Sequence, residues 1–354
     1  MGARASRGRV VGLRGRFPRI AAFIMEIGCL VFLFCGALPV EAASSALIPI
    51  RAVVLPYITF APFFIAKDEG YFEKEGLDVE FVRLVQPMAG VAEVARGNID
   101  MTQVGTRVGI FNAMGRGANL RIVADKGGFA GEKTASSGFL VRKELLDSKG
   151  KPDWQRIKGR KVSVDPTSFW GFLFEKYLAR NGLKMSDFDI EDLPVTVLPG
   201  AFEQGNVAIA HVTEPWVTKI TREGKVVLLV ADAALSPKSH FSGICFGPSL
   251  LEANPQAGEK FMVAYLKGVR QYNKGKTDRN IGIIARNTGL DTRSVAESGW
   301  PAMRNDGYMD VSGFVEFQRW AKKKGYLDSV VPAEKLWDPR FVEQANRKLG
   351  GKNP

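Results

Sequence analysis

The chain has 354 residues, 45% of them hydrophobic and 24% charged, with a formal net charge of +12. That balance excludes a disordered or fibrous chain and is long enough for two domains. Its three cysteines, Cys29, Cys35 and Cys245, are too few and too far apart for a disulfide-framed scaffold.

The first 42 residues read as a presequence. Arg4, Arg7, Arg9, Arg14, Arg16 and Arg19 form a basic region, Ile20 to Leu38 an apolar run, and Val40-Glu41-Ala42 places small residues where a signal peptidase cuts. Glu26 interrupts the apolar run and disfavours a permanent membrane span, although an uncleaved anchor is the rival reading. Cleavage after Ala42 leaves Cys245 alone, so no intrachain disulfide is expected. Six arginines against Glu26 and Glu41 remove a net +4, leaving about +8 dispersed over the mature chain. The one basic run, Lys322-Lys323-Lys324, reads as a solvated helix face rather than a nucleic-acid patch, and the charge excess suits acidic ligands.

From the N-terminus, "IRAVVL" (Ile50 to Leu55) is a strand by its β-branched content. "APFFIAKDEGYFEKEGLDVEFV" (Ala61 to Val82) follows as helix, break and strand. Pro62 suits a first helical turn, Gly70 ends the helix in a left-handed conformation, and Gly76 turns the chain into an alternating strand. Tyr71 and Phe72 are expected to plug the helix end. The same grammar repeats: strands at Ile99 to Gly105, Leu120 to Asp125, Gly138 to Lys143, Arg160 to Val164, Asn206 to Val212, Lys225 to Asp232 and Gly243 to Gly247. Helices are expected over Arg107 to Met114 and Phe169 to Asn181, and helical periodicity prevails beyond Leu250. Strands alternating with helices predict parallel sheets covered on both faces. The helical final third is too long for one sheet, so roughly 310 mature residues are expected to form two α/β lobes.

In open parallel sheets, ligands sit where strands end and helix N-termini point. Three strand exits qualify: "GTRVG" with Thr106 and Arg107, "VDPTSFWG" with Thr167, Ser168 and Trp170, and "HVTEPW" with Thr213 and Glu214. The hydroxyls have two readings, capping of unpaired N–H groups or ligand contact. Arg107 is different, because a cation in a first helical turn opposes the helix dipole and calls for an anion, either a ligand or a salt-bridge partner.

The signature over Ala61 to Val82, continued through "ARGNIDMTQVGT", "TEPWVTKITREGK", "FMVAYLKGVRQYN" and "WAKKKGYLD…WDPRFVEQANRKLG", resembles the nitrate/sulfonate/taurine class of ABC-transporter substrate-binding proteins. That class also holds relatives for thiamine pyrimidine precursors. The resemblance covers essentially the whole mature chain. It implies an α/β fold of the periplasmic-binding-protein type II, with lobe one from 43–137 and 243–354, lobe two from 138–242, and a ligand cleft between them. Carried over by position, Tyr57, Thr59 and Phe60 face the cleft, with Thr167, Ser168 and Trp170 and the Thr213-Glu214 step. It implies a periplasmic monomer that passes a small, anionic organic solute (a sulfonate, carboxylate or similar) to an ABC permease, with no cofactor, metal or nucleic acid. Two departures stand out. Gly205-Asn206-Val207-Ala208-Ile209 replaces a frequent Gly-x-x-Asp-Ala, and Arg107 stands where sulfonate binders tend to have small or neutral residues.

The rival class is an enzyme on the same fold, such as a pyrimidine synthase or desulfinase. It would need a nucleophile or base, and only Cys245, His211 and His240 are on offer. Cys245 lies in an apolar strand, where a buried inert thiol is expected. His211 lies late in a strand, as a core histidine would. No metal-ligand spacing and no phosphate-binding Gly-rich loop occurs. A sensor domain would need further signalling segments, which are not seen.

Overall fold

Among the described residues ten strands, most of them rich in β-branched and aromatic side chains, build two sheets of five. The computed structural model describes residues 46–84, 87–105, 107–129, 135–237 and 239–350, with backbone only at 87–89. The presequence and its cleavage step lie outside the described residues. Leu47 to Pro354 forms one compact unit. Its strands are β1 (Ile48–Val53), β2 (Leu77–Val82), β3 (Met101–Gly105), β4 (Arg121–Asp125), β5 (Ser137–Arg142), β6 (Lys161–Ser163), β7 (Asp189–Glu191), β8 (Ile209–Thr213), β9 (Val226–Ala231) and β10 (Ser242–Phe246). The helices used below are α1 (Ala61–Asp68), α2 (Pro87–Ala95), α3 (Val108–Gly115), α4 (Phe169–Arg180), α5 (Trp216–Thr221), α6 (Pro255–Tyr272), α7 (Asp278–Thr288), α8 (Thr292–Glu297), α9 (Ser312–Lys323) and α10 (Arg340–Lys348).

The sheet orders are β2-β1-β3-β10-β4 and β7-β6-β8-β5-β9, the two-lobe α/β fold expected. The expectation of all-parallel sheets needs correction. β10 runs antiparallel to β3 and β4, and β5 antiparallel to β8 and β9. The reason is topological. A chain leaving the C-terminal end of β4 enters the second lobe from the cleft side. Its first strand there must run away from the cleft, against strands whose C-termini face it. The same holds for β10 on the return. The two crossings pair with each other: Lys126 N–H donates to Ser242 O, Phe241 N–H to Gly127 O and Phe129 N–H to Ser239 O, each at 3.1 Å. β7 was not anticipated, since three residues with one apolar side chain carry no periodic signal.

The opening β-α-β return forms as read. Gly70 (φ 67°) and Gly76 (φ 78°) take left-handed conformations at the two breaks. Phe72 is fully buried against Phe261 of α6 at 5.1 Å between ring centroids, and Phe63 of α1 meets Tyr265 at 4.8 Å. Tyr71 donates to Gln271 Oε1 at 2.6 Å. α6 crosses α1 so closely that a Cβ on Gly268 would lie 2.2 Å from Pro62 O, which explains a glycine in mid-helix.

A second core joins the lobes. α9 lies between α3 of one lobe and α4 of the other, through Phe111–Phe314 (5.9 Å), Phe111–Phe317 (6.0 Å), Phe169–Phe317 (5.9 Å) and Phe172–Trp320 (5.5 Å). The lobes are therefore tied by an aromatic cluster as well as by the crossing ribbon. No helix among the described residues is long and apolar enough to cross a membrane.

Candidate ligand-binding cleft

The C-terminal ends of β1, β3, β4, β6, β7 and β8 converge on a cleft of about 670 Å³ between the two sheets. Lobe one contributes Leu55, Tyr57 and Thr59 after β1, Gln103 and Gly105 of β3, and Lys126 after β4. Lobe two contributes Ser163 and Asp165 from the β6 exit, Asp192 from the β7 exit, His211 and Thr213 from β8, and Trp170 and Trp216 at the starts of α4 and α5. These are the positions where an α/β sheet leaves its turns free to face solvent.

Of the residues selected from sequence, Tyr57, Thr59, Arg107, Trp170 and Thr213 line this cleft. Thr106 lies outside the described residues. Four others are not among the residues that line the cleft. Phe60 is buried one layer below, its ring under the Lys126 ammonium at 3.7 Å. Ser168 is fully buried as the N-cap of α4, where Oγ accepts from Gly171 N–H at 3.3 Å and donates to Asp165 O at 2.8 Å. Thr167 donates from N–H and Oγ1 to Asp165 Oδ1, at 2.9 and 2.8 Å, closing a turn on itself. The Ser168 hydroxyl thus serves the capping reading, whereas that of Thr167 is held by the Asp165 carboxylate. Glu214 is buried and turned away: Oε1 accepts from Gly299 N–H at 2.9 Å and from Thr218 Oγ1 at 2.7 Å, and Oε2 from Thr218 N–H at 3.0 Å. Burial pushes its carboxyl pKa up against the pull of those bonds. Glu214 joins the β8 exit to the segment after α8 rather than reaching solute.

Arg107 has its anion already. It sits at the N-cap of α3, pairs with Asp165, and approaches Asp192 with Nη2 at 3.7 Å from Oδ2. Its backbone forms an isolated antiparallel bridge with Ser168. These are contacts between the lobes: the carboxylates of Asp165 and Asp192 supply the negative charge beside the start of α3, and the guanidinium ties one lobe to the other.

The residue that sequence reading missed is Lys126. It is 1% exposed, yet it lines the cleft. Among the described residues none accepts a hydrogen bond from its ammonium, which lies over the Phe60 ring at 3.7 Å. The adjacent carboxylate is committed elsewhere: Asp125 accepts from Gly127 N–H at 2.8 Å and Arg304 N–H at 3.0 Å, and pairs with His240 Nδ1 at 2.8 Å. Burial drives the Lys126 pKa down to about 7, although the Asp125 charge opposes this. A buried ammonium with no hydrogen-bonded partner is costly unless something else completes it. The only sequence signal was its place directly after a strand. His211 is engaged too, with Nε2 2.8 Å from Asp232 Oδ2 and its ring stacked on Trp170 at 4.3 Å and 15°.

Fold and cleft define a two-lobe α/β protein with a cleft between its two sheets. The chain belongs to the NMT1/THI5-like family, whose profile matches residues 58–274. A Brucella abortus protein named as a binding protein is 23% identical over 225 residues, which span 63% of this chain and just under two thirds, 66%, of that relative. The periplasmic aliphatic sulphonate binding protein of Escherichia coli superposes with a TM-score of 0.66 at 18% identity, covering 82% of this chain and 92% of that one. The periplasmic nitrate-binding protein of Synechocystis gives 0.67 at 14% identity, with 86% and 89% covered. These matches bear out the resemblance and the fold read from the sequence.

Proposed function

We propose that this protein is an exported solute-binding protein that captures a small organic anion by lobe closure and delivers it to an ABC permease. The observation that carries this is Lys126, a buried lysine facing an inter-lobe cleft whose ammonium has no hydrogen-bond acceptor among the described residues. A ligand carboxylate or sulfonate there would supply the missing acceptor, and closure would exclude water from the bond. Similar proteins named for binding sulphonate and nitrate support an anion. In this proposal 43–137 with 243–354 and 138–242 are the two moving bodies, and the ribbon 126–129 with 239–242 is where they bend.

The enzyme alternative finds less support. Cys245 is fully buried in β10, and burial pushes its thiol up to about 12, so no thiolate is available at neutral pH. His211 is stacked and paired within the second lobe.

The chain starting at Ala43 is expected to be stabilised by its ligand without turnover. At one hundred times its dissociation constant a ligand adds about 2.7 kcal/mol, or several degrees of melting temperature at about 2–4 °C per kcal/mol. A thermal-shift screen of sulfonates, carboxylates and nitrate, followed by small-angle scattering for compaction, checks this. Turnover of a stabilising compound would establish the enzyme instead. Export predicts that N-terminal sequencing of the envelope protein begins at Ala43; an intact Met1 in the soluble periplasm would refute cleavage.

A further inference from the structure

Two features of the cleft together narrow the ligand class. The first is its charge. Arg107 is held by Asp165 and Asp192, and Asp125 by His240 and backbone N–H groups. That leaves one cation, Lys126, without a carboxylate partner among the described lining residues. Arg107 with its two carboxylates is net negative, so Lys126 is the one place in the described lining for a ligand with one negative charge. A second would lie near Asp165 and Asp192 without a counterion.

The second feature is the rings. Tyr57 is 40% exposed, unusual for so large a side chain, and among the described residues its ring has no aromatic partner and its hydroxyl no hydrogen bond. Trp216 is half-buried in the opposite lobe, packed at the edge of its core, with the Lys219 ammonium 4.5 Å from its ring and no aromatic partner among the described residues. Trp170 is held rigid from behind by His211 and flanked by Phe241 at 6.1 Å. A short aliphatic acid would leave the Tyr57 and Trp216 faces wet. A flat ring would cover them, and a cleft of about 670 Å³ is within the size range that holds a ring and its acid group.

We infer that the solute is an aromatic monoacid, its acid group on Lys126 and its ring against the faces of Tyr57 and Trp216. This rests on the solute-binding reading above and makes it more specific. The side chains of Gln103, Thr59 and Thr213, which show no hydrogen bond to a described residue, lie on the same walls and would serve ring substituents.

Calorimetry on the purified protein tests it with benzenesulfonate, benzoate, cyclohexanecarboxylate, methanesulfonate and phthalate. Benzenesulfonate or benzoate is expected to bind at least tenfold tighter than methanesulfonate, cyclohexanecarboxylate and the dianion phthalate. Tyr57→Ala and Trp216→Ala should each weaken the aromatic monoacid at least fivefold while moving methanesulfonate less than twofold. Tyr57, being exposed, keeps the test open if the tryptophan variant does not fold. Methanesulfonate or cyclohexanecarboxylate binding as tightly as the aromatic acids would overturn the inference and leave solute binding intact. Aromatic acids that bind equally well to both variants would overturn it too. Binding of none of these anions would remove the proposed function along with it.

Discussion

Lys126→Met is expected to raise the melting temperature of the ligand-free protein and to abolish anion binding. The two effects have one cause. Wild-type Lys126 is 1% exposed and carries a pKa lowered to about 7 by burial. A lysine that holds its proton less tightly folded than unfolded costs stability. The cost is absent above the unfolded pKa of about 10.4, grows as pH falls, and is complete below about 7. Methionine has a similar length and no charge, and replacing an unfavourable buried ion in this way stabilises by about 1–4 kcal/mol. At about 2–4 °C per kcal/mol, the gain is several degrees. Binding moves the other way, with a loss of roughly 2–5 kcal/mol for removal of one partner of a buried charged pair. Wild-type affinity should fall as pH rises above about 7, as the free lysine loses its proton, and Lys126→Met should lack that slope. The control matters because His211, His240, Asp125, Asp165, Asp192 and Arg107 also stand around the cleft or its hinge. A variant with unchanged melting temperature and unchanged affinity would show that the lysine neither strains the fold nor meets the ligand. A residue whose loss stabilises the protein is what a site kept for function predicts.

The sequence was most informative where local chemistry decides the outcome. Pro62, Gly70 and Gly76 act through backbone geometry alone, so the return from α1 to β2 could be read before any tertiary contact was known. Strand positions were readable from β-branched runs, but strand direction was not. Alternation of period two looks the same in either direction, and only the path of the chain between lobes reverses β5 and β10. The site followed the same divide. Strand exits pointed to the right loops, because the C-terminal ends of parallel strands face the cleft. Individual side chains there depend on partners far along the chain. Arg107 finds Asp165 58 residues away, and Lys126 is buried over Phe60 through packing that no local pattern encodes. Ser168 and Thr167 show how a hydroxyl at a helix start is claimed by nearby groups, the Asp165 carbonyl for one and the Asp165 carboxylate for the other.

Arg107→Ala is expected to weaken ligand binding through closure and not through a lost ligand contact. The guanidinium joins the β3 exit to Asp165 and Asp192 at the exits of β6 and β7, so the tie exists only when the lobes are together. Arg107 and Asp192 are about half exposed, which limits that part of the network. Asp165, only 10% exposed in its side chain, makes the stronger half. A coupling of roughly 1–3 kcal/mol between Arg107 and Asp165 is the range for groups in direct contact. The double-mutant cycle of Arg107→Ala with Asp165→Asn separates the two roles. If arginine acts as a tie, removing it in the Asp165→Asn background changes the dissociation constant by less than about twofold, a few tenths of a kcal/mol. Small-angle scattering of Arg107→Ala without ligand would then show a larger particle than wild type, because the open state no longer competes with an inter-lobe ion pair. If the arginine grips the ligand, its loss weakens binding equally in both backgrounds and leaves the ligand-free particle unchanged. Lobe closure would then depend on the α9 aromatic cluster and the crossing ribbon alone, and Lys126 would share the anion with a second cation.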